Sequence, residues 1–141
     1  MPPRLARLVD LVLVLAVAID VALGVAPFVR PDTWFHVLHH ATGTAIEIAF
    51  LRRCAAQWLT FAGLQLLALA RWRRWSGWLL IVAGARFADL LTDWTYLASS
   101  PVRTPAAWPL LIAPGLLNLG MGALLVVAYR RQSRARAATR P

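Results

Sequence analysis

Three charged residues, Arg86, Asp89 and Asp93, lie at helical spacing inside an otherwise apolar segment. At 100° per residue, offsets of three and seven place all three on one helix face, within an arc of about 60°. If the segment spans a bilayer, Arg86 lies near the midplane, where a lone charge costs at least about 2.5 kcal/mol. Charges kept at that depth are either paired with one another or used in a site.

Polar residues in the other apolar segments have overlapping predicted depths in the outer half of the bilayer. They are Asp20 in the first segment, Arg52, Arg53 and Gln57 in the second, and Asn118 in the fourth. Together with Glu47 and the three charged residues named above, they contribute four negative and three positive charges. Such a near balance is typical of an ion-paired cluster that faces the interior of a helix bundle. We predict that these five residues and Arg86 contact a ligand.

The chemistry of this cluster has three alternatives. Asp89 and Asp93, one helical turn apart, are the candidate catalytic pair, because two neighbouring carboxylates favour different protonation states, as acid–base catalysis requires. A nearby arginine would instead hold both carboxylates ionised, which favours ligand binding. In the third alternative the cluster is structural: Arg86 pairs with Asp89 or Asp20, and Asn118 joins helices by hydrogen bonds.

A histidine group precedes the second apolar segment. On a helix His36 lies beside both His39 and His40, and a helix continuing unbroken to Glu47 would align that carboxylate with His36 and His40. These three are the candidate ligands for zinc, iron or haem. The alternatives are an ordinary wet helix surface, or a pH-sensing or ligand-contact role. We predict a short amphipathic helix over 31–43, lying at the outer membrane surface.

The apolar composition of the chain indicates which secondary structure holds these residues in place. The chain has 141 residues, of which 60% are hydrophobic, more than a soluble domain of this size can bury. Segments at 8–28, 44–70, 75–98 and 108–129 each reach the length of about 20 residues that a spanning helix needs. Long unbroken segments favour helices over barrel strands. We predict one all-α domain over 1–141, an integral membrane four-helix bundle.

The net charge of +9 is concentrated at three places. Ten of the fifteen arginines lie in the N-terminus, the loop between the second and third segments, and the basic tail 130–141, whereas Arg30 and Arg103 lie in the opposite loops. This bias predicts up-down-up-down topology with both termini cytoplasmic. We expect the basic tail to contact anionic lipid headgroups. The positive charge does not indicate nucleic-acid binding, because the sequence shows no recognisable nucleic-acid recognition fold.

Several enzyme classes are excluded by what the sequence lacks. The single cysteine, Cys54, excludes an intramolecular disulfide and therefore a dithiol redox relay. No phosphate-binding glycine loop, nucleophile elbow or zinc-protease helix motif is present.

Three short motifs resemble those of the DoxX-like group of small bacterial membrane proteins. They are Gly24-Val-Ala-Pro27, Leu51-Arg-Arg53 and Gly84-Ala-Arg86-Phe-Ala-Asp89. The resemblance covers most of the chain and implies a four-helix membrane fold more than an activity.

The sequence as a whole predicts an accessory or ligand-binding membrane protein with a polar site in the outer half of the bundle. The first alternative is a membrane enzyme performing acid–base chemistry on an isoprenoid, sterol-like or quinone substrate. The second is a structural subunit of a larger membrane complex. The expected partners are the lipid bilayer, a lipid-like or small-molecule ligand, and either a second copy or a larger membrane assembly.

Overall fold

The architecture is all-α. The computed structural model describes residues 2–100 and 104–138, which contain five helices and no strand. The helices are α1 (Pro3–Val29), α2 (Pro31–His39), α3 (Ala45–Arg71), α4 (Gly77–Ser99) and α5 (Ala107–Ala138).

The four long predicted helices are present, each with somewhat different limits. The largest difference is at α5, which continues to Ala138 through most of the basic tail. Arginine, alanine and glutamine dominate that stretch and are good helix formers, so the helix does not end where the apolar pattern does. Arg103 and residues 139–141 of the predicted tail lie outside the described residues.

The long helices pack as two antiparallel pairs. The most extensive contacts join α1 to α3 and α4 to α5. On the first pair Asp10 bonds to Trp72 while Asp20 bonds to Gln65, so the chain directions are opposite. Gly24 allows α1 to approach α3 closely, because a Cβ there would lie 2.6 Å from Leu59 Cγ.

One end of the molecule closes around an apolar core shared by both pairs. Val9, Leu13, Trp72, Leu79 and Leu125 are buried there, from α1, the α3–α4 turn, α4 and α5. At the opposite end the short helix α2 lies across the two pairs. Its last turn is tied to the segment before α5 by Thr104, whose backbone N–H donates to Leu38 O (3.1 Å) and whose hydroxyl donates to Val37 O (2.9 Å).

Two of the helices, α1 and α5, are long and apolar enough to cross a membrane by length and composition. In α3 and α4 charged residues interrupt the apolar stretches, and several of these charges meet inside the molecule.

Candidate functional site

The centre of the polar cluster is a buried ion pair between α1 and α4. Arg86 Nη1 and Nη2 donate to Asp20 Oδ1 and Oδ2 at 3.1 and 2.5 Å. The side chains of Arg86 and Asp20 are 2% and 0% exposed. Gln65 on α3 donates a further bond from Nε2 to Asp20 Oδ2, at 2.6 Å. The arginine predicted to lie deep in an apolar segment is therefore neutralised by a carboxylate from the other helix pair.

Asn118 on α5 connects this ion pair to the other two carboxylates. Its Oδ1 accepts from Arg86 Nη1 at 3.1 Å, and its Nδ2 donates to Asp89 Oδ2 at 3.1 Å and to Asp93 Oδ2 at 3.3 Å. Trp58 on α3 donates from Nε1 to Asp89 Oδ1 at 3.2 Å. All four long helices thus contribute to one hydrogen-bonded network, with Trp58 and Gln65 as the α3 members instead of the predicted Arg52, Arg53 and Gln57.

A cleft of about 1320 Å³ lies against this network, between the two helix pairs and beside α2. Its walls are mainly aliphatic and aromatic, with contributions from all five helices. Arg86, Asp89, Asp93 and Asn118 of the polar network also line it, and Arg30, His39 and Glu47 are further polar residues of its wall. This combination, a large apolar cavity with a few convergent polar groups, is typical of a small-molecule site.

The structure brings together five of the predicted site residues: Asp20, Arg86, Asp89, Asp93 and Asn118. Three others, Arg52, Arg53 and Gln57, are exposed and lie outside the cluster.

Arg52, Arg53 and Gln57 lie outside the cluster because of the register of α3 against α1. Gln65 is the α3 residue level with Asp20, and Arg53 lies twelve residues away, about 18 Å along the helix axis. In the described residues Arg86 is paired with Asp20 and Asp89, and a third carboxylate, Asp93, joins the network through Asn118. The near-neutral balance expected from the sequence is therefore wrong for the cluster itself, which is formally acidic.

The predicted metal ligands do not form a common site. The helix carrying the histidines ends at His39, and His40 is left-handed at φ 51°, so no continuous helix aligns Glu47 with His36 and His40. Glu47 instead forms a capping box at the start of α3, accepting from the Thr44 backbone N–H at 2.7 Å. The described part of the chain contains no group of three or more His, Cys, Asp or Glu residues that could hold a metal ion.

His36 and His40 do contact each other, with ring centroids 5.9 Å apart. His39 has a different role, because its Nε2 hydrogen-bonds to the hydroxyl of Tyr96 on α4 and its ring lines the cleft. This hydrogen bond joins α2 to α4 on the wall of the cleft, at the end of the molecule where α2 lies across the helix pairs.

Three site residues were missed at the level of sequence: Trp58, Gln65 and Tyr96. Trp58 and Gln65 are seven residues apart, which places them on one face of α3, and a polar side chain on that otherwise apolar face was the available signal. Gln57, the α3 residue predicted to contact a ligand, points about 100° away from Trp58. Tyr96 follows Asp93 by three residues and so continues the α4 stripe.

Comparisons of this chain with protein-family models, with curated proteins and with solved structures gave no match.

Proposed function

We propose that this protein is an integral membrane protein that binds a lipid-like molecule in the cleft between its helix pairs. In this proposal α1, α3, α4 and α5 span a bacterial inner membrane up-down-up-down, with both termini cytoplasmic. Support comes from the length and apolarity of α1 and α5, and from large apolar side chains exposed on the outside of the helices, such as Leu11, Leu66 and Leu116. Such surfaces suit lipid rather than water.

The observation that carries the binding function is the cleft. At about 1320 Å³ it exceeds the range of about 300–1,000 Å³ usual for drug-sized ligands, and so suits a long or bulky molecule. Ile19, Leu23, Leu111, Leu117 and Met121 supply apolar wall, which matches a hydrocarbon body. One polar part of the wall, formed by Arg86, Asp89, Asp93 and Asn118, matches a head group, and a second polar set, Arg30, His39 and Glu47, also lines the cleft.

The polar region also offers a position for the ligand. Arg86 lines the cleft with its side chain 2% exposed, and its Nε has no acceptor in the described residues. A buried donor left unpaired costs about 1–3 kcal/mol. Arg86, Asp89, Asp93 and Asn118 all line this part of the cleft, and polar side chains there favour an amphiphile over a pure hydrocarbon.

A second candidate function is acid–base catalysis on an isoprenoid, sterol-like or quinone substrate. It is favoured by one observation: Asp89 and Asp93 line the cleft side by side and share one donor, Asn118 Nδ2. Two carboxylates sharing one donor next to an apolar cavity are suited to exchanging a proton with a bound molecule. In this alternative, Asp89→Asn and Asp93→Asn abolish turnover while the ligand still binds. Membership of the DoxX-like group remains a prediction.

The binding proposal is tested by filling the cleft. Leu117 lines it and its neighbour Leu116 does not, although both are exposed leucines of α5. Leu117→Trp should reduce the ligand that co-purifies with the protein in a neutral detergent, measured by solvent extraction and mass spectrometry, by about tenfold, equivalent to ~1.4 kcal/mol. Leu116→Trp is the matched control and should retain the wild-type amount. Equal amounts in both variants, or no amphiphile enriched over the detergent background, would contradict the proposal.

A further inference from the structure

The charge of the polar region restricts what the cleft can bind. Asp20 and Arg86 neutralise each other through two hydrogen bonds, which leaves Asp89 and Asp93 facing the cleft. Asp89 is 3.9 Å from Arg86, beyond hydrogen-bonding distance, and Asp93 is bonded only through the neutral amide of Asn118 among the described partners. In an apolar surround, two such carboxylates attract a cation and repel an anion more strongly than they would in water.

Aromatic rings lie beside the same carboxylates. Trp34 and Trp58 both line the cleft, with ring centroids 5.7 Å apart and planes tilted by 40°. Trp58 is held next to Asp89 by its own indole N–H bond, and Tyr96 lines the cleft one turn beyond Asp93. Tilted aromatic faces next to carboxylates are the arrangement by which proteins recognise alkylammonium groups, because the ring faces and the carboxylates both attract positive charge.

A third observation concerns the hydrogen bonds of Arg86. Arg86 is buried yet keeps one unpaired donor, Nε, on a residue that lines the cleft. The bonds to Asp20 and Asn118 thus leave the buried guanidinium one hydrogen bond short.

We propose that the ligand is a cationic amphiphile, whose alkylammonium head group lies between the Asp89 and Asp93 carboxylates and the Trp34, Trp58 and Tyr96 rings. Its hydrocarbon body lies along the aliphatic part of the wall, which includes Ile19, Leu23 and Met121. This inference rests on the proposed binding function and adds the charge of the ligand to it. At this position the same carboxylates disfavour the anionic head group of a fatty acid or of an acidic phospholipid.

Three probes with one hydrocarbon tail and different head groups test the inference: dodecyltrimethylammonium, dodecanol and dodecanoate. Binding to the full-length protein in neutral maltoside micelles is followed by tryptophan fluorescence and by the shift of the unfolding midpoint. Asp93→Asn removes a carboxylate that lines the cleft. Asp10→Asn is the control, because Asp10 bonds to Trp72 and Arg73, away from the cleft. Wild type and Asp10→Asn should bind the ammonium probe about tenfold more tightly than the alcohol, and the carboxylate most weakly.

Asp93→Asn should bring the affinity for the ammonium probe down to about that for the alcohol while leaving the alcohol affinity unchanged. Trp34→Leu should have the same selective effect, and it gives a second measurement if Asp93→Asn fails to fold. If the alcohol or the carboxylate binds wild type as tightly as the ammonium probe does, the charge inference is overturned and the binding function stands. If no probe binds wild type and Leu117→Trp also retains its co-purifying material, both proposals fail.

Discussion

The contribution of the Asp20–Arg86 ion pair to stability is the sharpest quantitative prediction from this structure. Replacing Asp20 by Leu removes two hydrogen bonds from a guanidinium that is 2% exposed. Arg86 then keeps only the Asn118 amide oxygen at 3.1 Å and the Asp89 carboxylate at 3.9 Å. The buried charge then has no hydrogen-bonded carboxylate, and its nearest counterion is 3.9 Å away.

The expected loss follows from that burial. Removing one partner of a buried ion pair costs about 3–5 kcal/mol, because the other charge stays buried and uncompensated. Gln65, which donates to Asp20 in the wild type, also loses its acceptor, so Asp20→Leu should fall at the upper end of this range. Replacing both charges, in Asp20→Leu/Arg86→Leu, should recover most of the loss, since an apolar pair of similar volume is often as stable as a buried ion pair.

The assay is reversible unfolding in mixed micelles of dodecyl maltoside and dodecyl sulfate, with the free energy extrapolated to zero dodecyl sulfate for wild type, both single variants and the double variant. The matched control is Arg73→Leu, which breaks the exposed pair of Arg73 with Asp10; those side chains are 62% and 28% exposed. An exposed pair contributes about 0–1 kcal/mol. The four-variant cycle isolates the coupling between Asp20 and Arg86 from the separate effect of each substitution.

Two results would refute the reasoning. If Asp20→Leu costs no more than Arg73→Leu, the network does not hold the two helix pairs together. If the double variant is as unstable as the single variants, the loss comes from packing rather than from a stranded charge, and the electrostatic account is wrong.

Two further predictions concern how the helices begin and pack. Gly24→Ala should destabilise by about 1–3 kcal/mol in the same unfolding assay, because the added Cβ would lie 2.6 Å from Leu59 Cγ, whereas Gly63→Ala, with no atom within 4 Å, should be neutral or stabilising. Equal effects would disprove the close approach of α1 and α3. Thr44→Ala should cost about 1 kcal/mol, because it removes the hydroxyl that accepts from the Glu47 backbone N–H, and hydrogen exchange should become faster in the first turn of α3; unchanged exchange there would count against the capping box.

Much of the secondary structure could be predicted from sequence because helix length and amphipathic pattern are local properties. The four apolar segments correspond to the four long helices, although α5 continues nine residues beyond its predicted end. The positions of Arg86, Asp89 and Asp93 on one face required only the 100° step of a helix. The sequence also predicted α2, but it placed the end of this helix at residue 43. The helix ends at His39 because the backbone of His40 is left-handed.

The composition of the site depended on how the helices lie against one another. Membrane depth, counted from the predicted helix ends, indicated that Arg52 and Arg53 would neutralise the carboxylates. The offset between α1 and α3 instead places Gln65, and not Arg53, next to Asp20. A shift of one residue turns a side chain by 100° and moves it 1.5 Å, so register decides which groups can meet.

The chain alone therefore determined which residues share a helix and a face, because those relations follow from backbone geometry over a few turns. Only packing decided that Asp20 neutralises Arg86, that Asp89 and Asp93 are left facing a cleft, and that aromatic rings stand beside them. Those relations join residues between 25 and 66 positions apart in the sequence, where no local periodicity reaches.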